Sequence, residues 1–193
     1  WVISQSWAMA VALTDWANRN NLWFSKIISM WNKAWIDEVD FLLELEKDDK
    51  TKVIALYLES LERGELFYEI AKRVSKTKPI VLIKSWISSL WEKAASSHTW
   101  ALSSDKKILE TASLHSNIHF TNSLEDFFSM VEIFSKVDYK NIPEELAIIT
   151  NAWWPWVVST DHCEFNWVIL SQFDDEEKEI LKVWLSNSSS VSN

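Results

Sequence analysis

The stretch Trp1-Val-Ile-Ser-Gln-Ser-Trp-Ala-Met-Ala-Val-Ala-Leu-Thr-Asp-Trp-Ala-Asn-Arg-Asn20 decides the fold. A short apolar run, Val2 to Ser4, stops at small polar residues and passes into a helix-period segment from Ala8 to Asn20. The passage then recurs. Apolar, β-rich runs fall at Phe24 to Met30, Lys52 to Leu58, Pro79 to Lys84 and Ile118 to Phe120. Helix-period segments separate them: Asp37 to Lys47, Glu62 to Ser75, a pair spanning about Leu90 to Leu114, and Leu124 to Phe134. Strands alternating with helices predict an α/β fold, a parallel sheet with helices on both faces.

Strand lengths and spacing suit a flavodoxin-like order, in which ligands lie outside the carboxyl ends of the strands. A polar link from Lys136 to Glu144, containing Pro143, interrupts the alternation. It is followed by a strand at Leu146 to Thr150, a Trp/Pro turn and a helix through about Asn166. A strand at Val168 to Leu170 and an acidic-start helix from Asp174 to about Trp184 close the pattern. Val2-Ile-Ser-Gln-Ser-Trp-Ala8 and Ile148-Ile-Thr-Asn-Ala-Trp-Trp-Pro-Trp-Val157 share one plan of strand, small polar pair and helix. Residues 1–137 therefore read as one flavodoxin-like domain, and 138–193 as the truncated start of a second. Trp1 opens straight into an apolar run and the chain closes in a Ser/Asn stretch, so the whole reads as a fragment.

The composition contains 14 Trp and 1 Gly in 193 residues, against an ordinary glycine share of roughly 7%. Trp7, Trp31, Trp35, Trp86, Trp91, Trp100, Trp153, Trp154 and Trp156 sit among Ser, Asn and Pro, where turns call for a residue that tolerates positive φ or close backbone approach. Indole does neither. The reading that follows is that UGA codons meaning glycine are rendered as tryptophan. Trp16 and Trp184 fit it least, because each interrupts a helical pattern where glycine costs about 1 kcal/mol.

Lys and Arg number 19 against 28 Asp and Glu, for a net charge of −9 and no basic run. That balance excludes the footprint of a nucleic-acid binder and fits an acidic cytoplasmic protein. No apolar run approaches the roughly 18 residues of a membrane span. One cysteine, Cys163, can form neither an internal disulfide nor a thiolate metal site. His115, His119 and His162 read as surface or satisfied polar residues, and no metal site is inferred.

Two small-residue turns that feed helices make two anion sites, since exposed N–H groups and the helix dipole favour phosphate. The first comprises Ser6, Trp7 and Ala8; the second comprises Trp153, Trp154, Pro155, Trp156 and Val157. His98, in Ser96-Ser-His-Thr-Trp100, can act as a phosphorylated nucleophile if a carboxylate orients its other nitrogen. Ser97, Thr99 and Trp100 support that loop. Glu59, after the strand ending Leu56-Tyr-Leu58, is placed for the orienting role.

With each Trp read as glycine, six segments carry a resemblance: Ser4-Gln-Ser-Trp-Ala8, Trp31-Asn-Lys-Ala34, Tyr57-Leu-Glu59, Pro79-Ile-Val-Leu-Ile-Lys-Ser-Trp86, Ala94-Ala-Ser-Ser-His-Thr-Trp-Ala-Leu102 and Thr150-Asn-Ala-Trp-Trp-Pro-Trp-Val157. So read, the chain resembles the NDP-forming acyl-CoA synthetases, which include the ADP-forming acetate–CoA ligases and are relatives of succinyl-CoA synthetase. The resemblance implies an acid–thiol ligase that interconverts acyl-CoA, NDP and phosphate with an organic acid, CoA and NTP through acyl phosphate and a phosphohistidine. It makes His98 the phosphoryl carrier and Glu59 its orienting carboxylate, with the helices after Ser6 and Trp154 holding phosphate. It further implies a CoA-binding domain and an ATP-grasp domain or subunit as partners. CoA and ATP/ADP with Mg would then belong to the complete enzyme, none being bound wholly by this fragment, which alone would be inactive. Two alternatives stand beside it: a regulatory CoA/acyl-binding module of a protein acyltransferase, whose known forms lack the histidine, and a non-catalytic flavodoxin-like binding domain.

Overall fold

The computed structural model describes residues 1–30, 33, 36–84, 113, 114, 116–138, 141 and 144–185. The chain divides into two compact units, Trp1–Tyr139 and Lys140–Asn193.

The first unit runs β1 (Val2–Ser4), α1 (Trp7–Arg19), β2 (Ile27–Ser29), α2 (Glu38–Lys47), β3 (Ile54–Leu58), α3 (Gly64–Val74), β4 (Ile80–Lys84), β5 (Ile118–Thr121) and α4 (Leu124–Lys136). Every ladder is parallel, and the strand order is β2-β1-β3-β4-β5. This is the flavodoxin-like order, whose ligand crevice opens where the chain leaves the adjacent strands β1 and β3 for helices on opposite faces of the sheet. Alternation along the strands sorts the core into two halves. Ile3, Ile54, Leu56, Leu58, Ile80 and Leu82 pack against Val39, Leu42 and Leu45 of α2 and Phe67, Ile70, Ala71 and Val74 of α3. Val2, Ala55, Val81 and Ile83 point the other way, onto Leu13 of α1 and Phe127 and Val131 of α4. Burial on both faces is why these strands read as continuous apolar runs.

Caps set the helix boundaries. Ser6, Asp37 and Ser123 accept first-turn amides at the starts of α1, α2 and α4. Lys78, 8% exposed, closes α2 by donating from Nζ to the carbonyls of Leu45, Glu46 and Asp48. The segment expected as a helix from Glu62 begins instead at Gly64: the Arg63 backbone, with φ −103° and ψ 55°, is not helical, and its side chain is committed to Asp37 and Asp40. The expected strand from Phe24 to Met30 is laddered only at Ile27–Ser29, since β2 is an edge and its one partner, β1, is three residues long. The helical pair expected at about 90–114 lies outside the described residues, apart from Ser113 and Leu114.

The second unit contains β6 (Glu145–Leu146), α5 (Trp153–Phe165), β7 (Ile169–Leu170) and α6 (Asp175–Trp184), with β6 and β7 parallel. The strand expected at Leu146 to Thr150 is shorter than the sequence suggests. A ladder lasts only as long as its partner, and β7 offers two residues, so Ile149 stands 90% exposed. Among the described residues, no helix is long and apolar enough to cross a membrane, and no cluster of His, Cys, Asp and Glu could hold a metal ion.

Candidate functional site

β1 ends in a hydroxyl turn: Ser4 Oγ donates to the Ser6 carbonyl at 2.7 Å and accepts the Ser6 amide at 3.1 Å. Ser6 then caps α1, its Oγ accepting the Met9 amide at 3.4 Å. The helical ladder starts with the Ala10 amide on the Ser6 carbonyl, so the amides of Trp7 and Ala8 precede it and point out of the helix end. This turn lies at the carboxyl edge of the sheet, beside the crevice between β1 and β3. Trp7 is the first helical residue and is 66% exposed.

Across the crevice, Glu59 and Ser60 follow β3, held by side chains from three directions. Gln5 Oε1 accepts both the Glu59 amide and, at 3.0 Å, the Ser60 amide. Its Nε2 donates to Ser60 Oγ at 3.3 Å, and its own amide bonds the Tyr57 carbonyl at 3.1 Å. Lys84, at the end of β4 and 2% exposed, donates to the Glu59 carbonyl at 2.9 Å. Lys33 donates to the Ser60 carbonyl at 2.7 Å while pairing with the fully buried Glu38 at 2.8 Å.

The charges respond to their surroundings. Burial lowers Lys84 from the usual lysine range, with Glu59 pulling upward and Lys33 adding to the fall. Burial raises Glu38 against the opposing pull of Lys33. Farther along the same loop, Arg63 forks onto Asp37, with Nε at 2.5 Å from Oδ2, and reaches Asp40 at 2.8 Å. Burial would push the Asp37 carboxyl up. The guanidinium and the amides of Val39 and Asp40 outweigh it and hold that carboxyl low.

The second unit repeats the hydroxyl turn of the first. Thr150 Oγ1 donates to the Ala152 carbonyl and accepts the Ala152 amide, both at 3.2 Å, as Ser4 does with Ser6. Ala152 gives α5 no side-chain cap, and Trp153, Trp154 and Pro155 form its first turn, not a turn ahead of it. The two indoles meet edge-on at 5.5 Å and are 68% and 71% exposed; Trp156 and Val157 are half-buried. The helix ends match as well. Leu22 bonds back to the Ala17 carbonyl past Asn21, and Val168 bonds back to the Cys163 carbonyl past Trp167, each at 2.9 Å.

Ser6 and Glu59 are thus brought to one crevice, linked through Gln5. Trp153 to Val157 sit at a similar turn in the other unit. His98, Ser97, Thr99 and Trp100 lie outside the described residues. Gln5, Lys33 and Lys84 were given no role in the sequence reading, although each falls in one of the segments that carry the resemblance.

Residues 1–134 match the succinyl-CoA ligase like flavodoxin domain. The chain is 38% identical over 99% of its length to "Acetate--CoA ligase [ADP-forming] I" of Archaeoglobus fulgidus. It is 36% identical over 100% to "Acetate--CoA ligase [ADP-forming]" of Methanocaldococcus jannaschii. It spans 27% of the length of each. Among solved structures, "dinucleotide forming Acetyl-coenzyme A synthetase 1" of Ca. Korarchaeum cryptofilum, in complex with phosphate and ADP, superposes with a TM-score of 0.85 at 34% identity, over 100% of this chain and 42% of that one.

Proposed function

The chain belongs to the family of succinyl-CoA ligase like flavodoxin domains, and from that premise we propose that it is the phosphoryl-relay portion of an ADP-forming acyl-CoA synthetase. The observation that carries the proposal is the pairing, at the β1/β3 switch point, of a helix N-terminus suited to an anion with the loop bearing Glu59. In the complete enzyme, phosphate displaces CoA from an acyl thioester to give an acyl phosphate. A ring nitrogen of His98 takes the phosphoryl group and the organic acid leaves. An ADP oxygen then attacks phosphorus, the N–P bond breaks, and ATP and free imidazole result. Glu59 orients the imidazole so that the attacking nitrogen stays unprotonated. The turns at Ser6, Trp7 and Ala8 and at Trp153, Trp154, Pro155, Trp156 and Val157 bind phosphate.

The chain's short span relative to its relatives supports further parts, a CoA-binding domain and an ATP-grasp domain or subunit that supply CoA and ATP/ADP with Mg. We place the assembled enzyme in the cytoplasm, acting on a small organic acid. The test is transfer of label from γ-³²P-ATP to the complete enzyme. His98→Asn should abolish acid-labile label and Glu59→Gln should slow its appearance. Label persisting on the His98→Asn protein would end this reading.

A further inference from the structure

The peptide unit Glu59–Ser60 has all four of its backbone polar groups taken by side chains distant in sequence. Both amides go to Gln5 Oε1, the Glu59 carbonyl to Lys84 and the Ser60 carbonyl to Lys33. Loop backbone ordinarily satisfies such groups with water or with its own neighbours. Here two strand ends, those of β1 and β4, and a buried ion pair are spent on one dipeptide, at a site where an ordinary β3-to-α3 connection needs nothing of the kind. Lys33 is itself fixed by Glu38, whose side chain is 0% exposed, so the clamp is anchored in the core.

Gln5 has a second consequence. It lies between Ser4 and Ser6, the two residues of the hydroxyl turn that starts α1. One side chain therefore ties the helix end to the Glu59 loop. A shift of Glu59 relative to the α1 N-terminus requires breaking the Gln5 bonds.

We propose that Gln5, together with Lys84 and Lys33, is a positioning device that sets the Glu59 carboxylate at a fixed distance from the α1 anion turn. This deepens the phosphoryl-relay reading and rests on it. Gln5 touches no reacting atom. Its effect is carried by the Glu59–Ser60 backbone, and a misplacement near 1 Å costs rate on the order of a hundredfold.

The experiment uses the complete enzyme and two readouts: residue-resolved amide hydrogen exchange, and the concentration dependence of phosphorylation by γ-³²P-ATP. Gln5→Ala should speed exchange of the Glu59 and Ser60 amides by about tenfold, leaving β1 and β3 protection unchanged. Its maximal phosphorylation rate should fall by between about tenfold and a hundredfold at an unchanged half-saturating ATP concentration. Gln5→Glu keeps an acceptor oxygen for the two amides and puts a second acceptor, to which the Ser60 hydroxyl can donate, where Nε2 stood, and should restore both. If Gln5→Ala loses protection throughout the sheet, Lys84→Met serves as the second variant, with the same expected split. Amides as protected as in the parent, or freed amides with a parental phosphorylation rate, would overturn the positioning role alone. A parent enzyme that takes no label on His98 would overturn the relay reading and this inference with it.

Discussion

Trp167 holds the backbone position after α5 that Asn21 holds after α1, both left-handed, with φ of 57° and 53°. In each case the next residue bonds back to the carbonyl five positions earlier, which closes the helix. Asparagine tolerates that conformation. A Cβ-bearing indole does so at a cost of roughly 1–2 kcal/mol, and glycine is the residue found there most often.

Trp167→Gly should therefore stabilise the second unit by about 1 kcal/mol, read as a rise in its urea midpoint. It also removes an indole that is 93% exposed and contributes no packing. The UGA reading predicts the same codon at this position as at Trp7, Trp153 and Trp154. UGG there, or an unchanged midpoint, would count against it.

Substituting glycine for Trp7, Trp153 and Trp154 should open two helix starts whose first-turn residues are indoles. The triple variant is expected to gain more thermal stability from added phosphate than the tryptophan-bearing chain, because a ligand that binds only the folded state raises stability with its concentration. Chloride at matched ionic strength is the control. Equal responses of both proteins to phosphate would remove these turns as anion sites.

Asp37 makes stability depend on acid. Its carboxyl is held low by Arg63 and two amides against the effect of burial. The contribution is complete above the unfolded pKa of about 3.9 and is lost as pH falls through the lower folded value. Asp37→Ala should cost about 1 kcal/mol near neutral pH through the lost cap. The gap between its unfolding midpoint and the parent's should narrow from about pH 5 to pH 2. A constant gap would show that the ion pair adds nothing.

His119, on β5, lies against Phe134 with ring centroids 4.5 Å apart, and burial lowers its pKa. The folded state favours neutral imidazole, so this stability is present above the unfolded pKa of about 6.5 and is lost as pH falls below it. His119→Gln should show a flatter urea midpoint than the parent between about pH 7.5 and 5. Parallel profiles would rule His119 out.

Much of the architecture was legible because physical pattern and structure share a period. Ile54, Leu56 and Leu58 face one layer of helices and Ala55 the other, and runs buried on both sides announce themselves as apolar. Ser6, Asp37 and Asp174 announce helix starts by residue type. Edge elements were harder to read: the ends of β2 and β6 depend on how far a partner strand runs, which no local window contains. Ser6 and Glu59 could be named from their places after strands. The bonds of Gln5, Lys33 and Lys84 to the 59–60 dipeptide could not, since they join polar side chains to backbone more than twenty residues away, and backbone groups leave no mark in composition.

Lys78 answers the end of α2 as Lys84 answers the end of β3, each giving a buried ammonium to main-chain oxygen. In this domain lysine is used as mortar between elements. Chemical acetylation of the folded protein should leave these two amines unmodified while marking lysines on the outer helices. Once modified in the denatured state, the chain would lose the joints that bring its loops back to register, and its failure to refold would come from neutral amide caps on Lys78 and Lys84, with every apolar residue of the core intact.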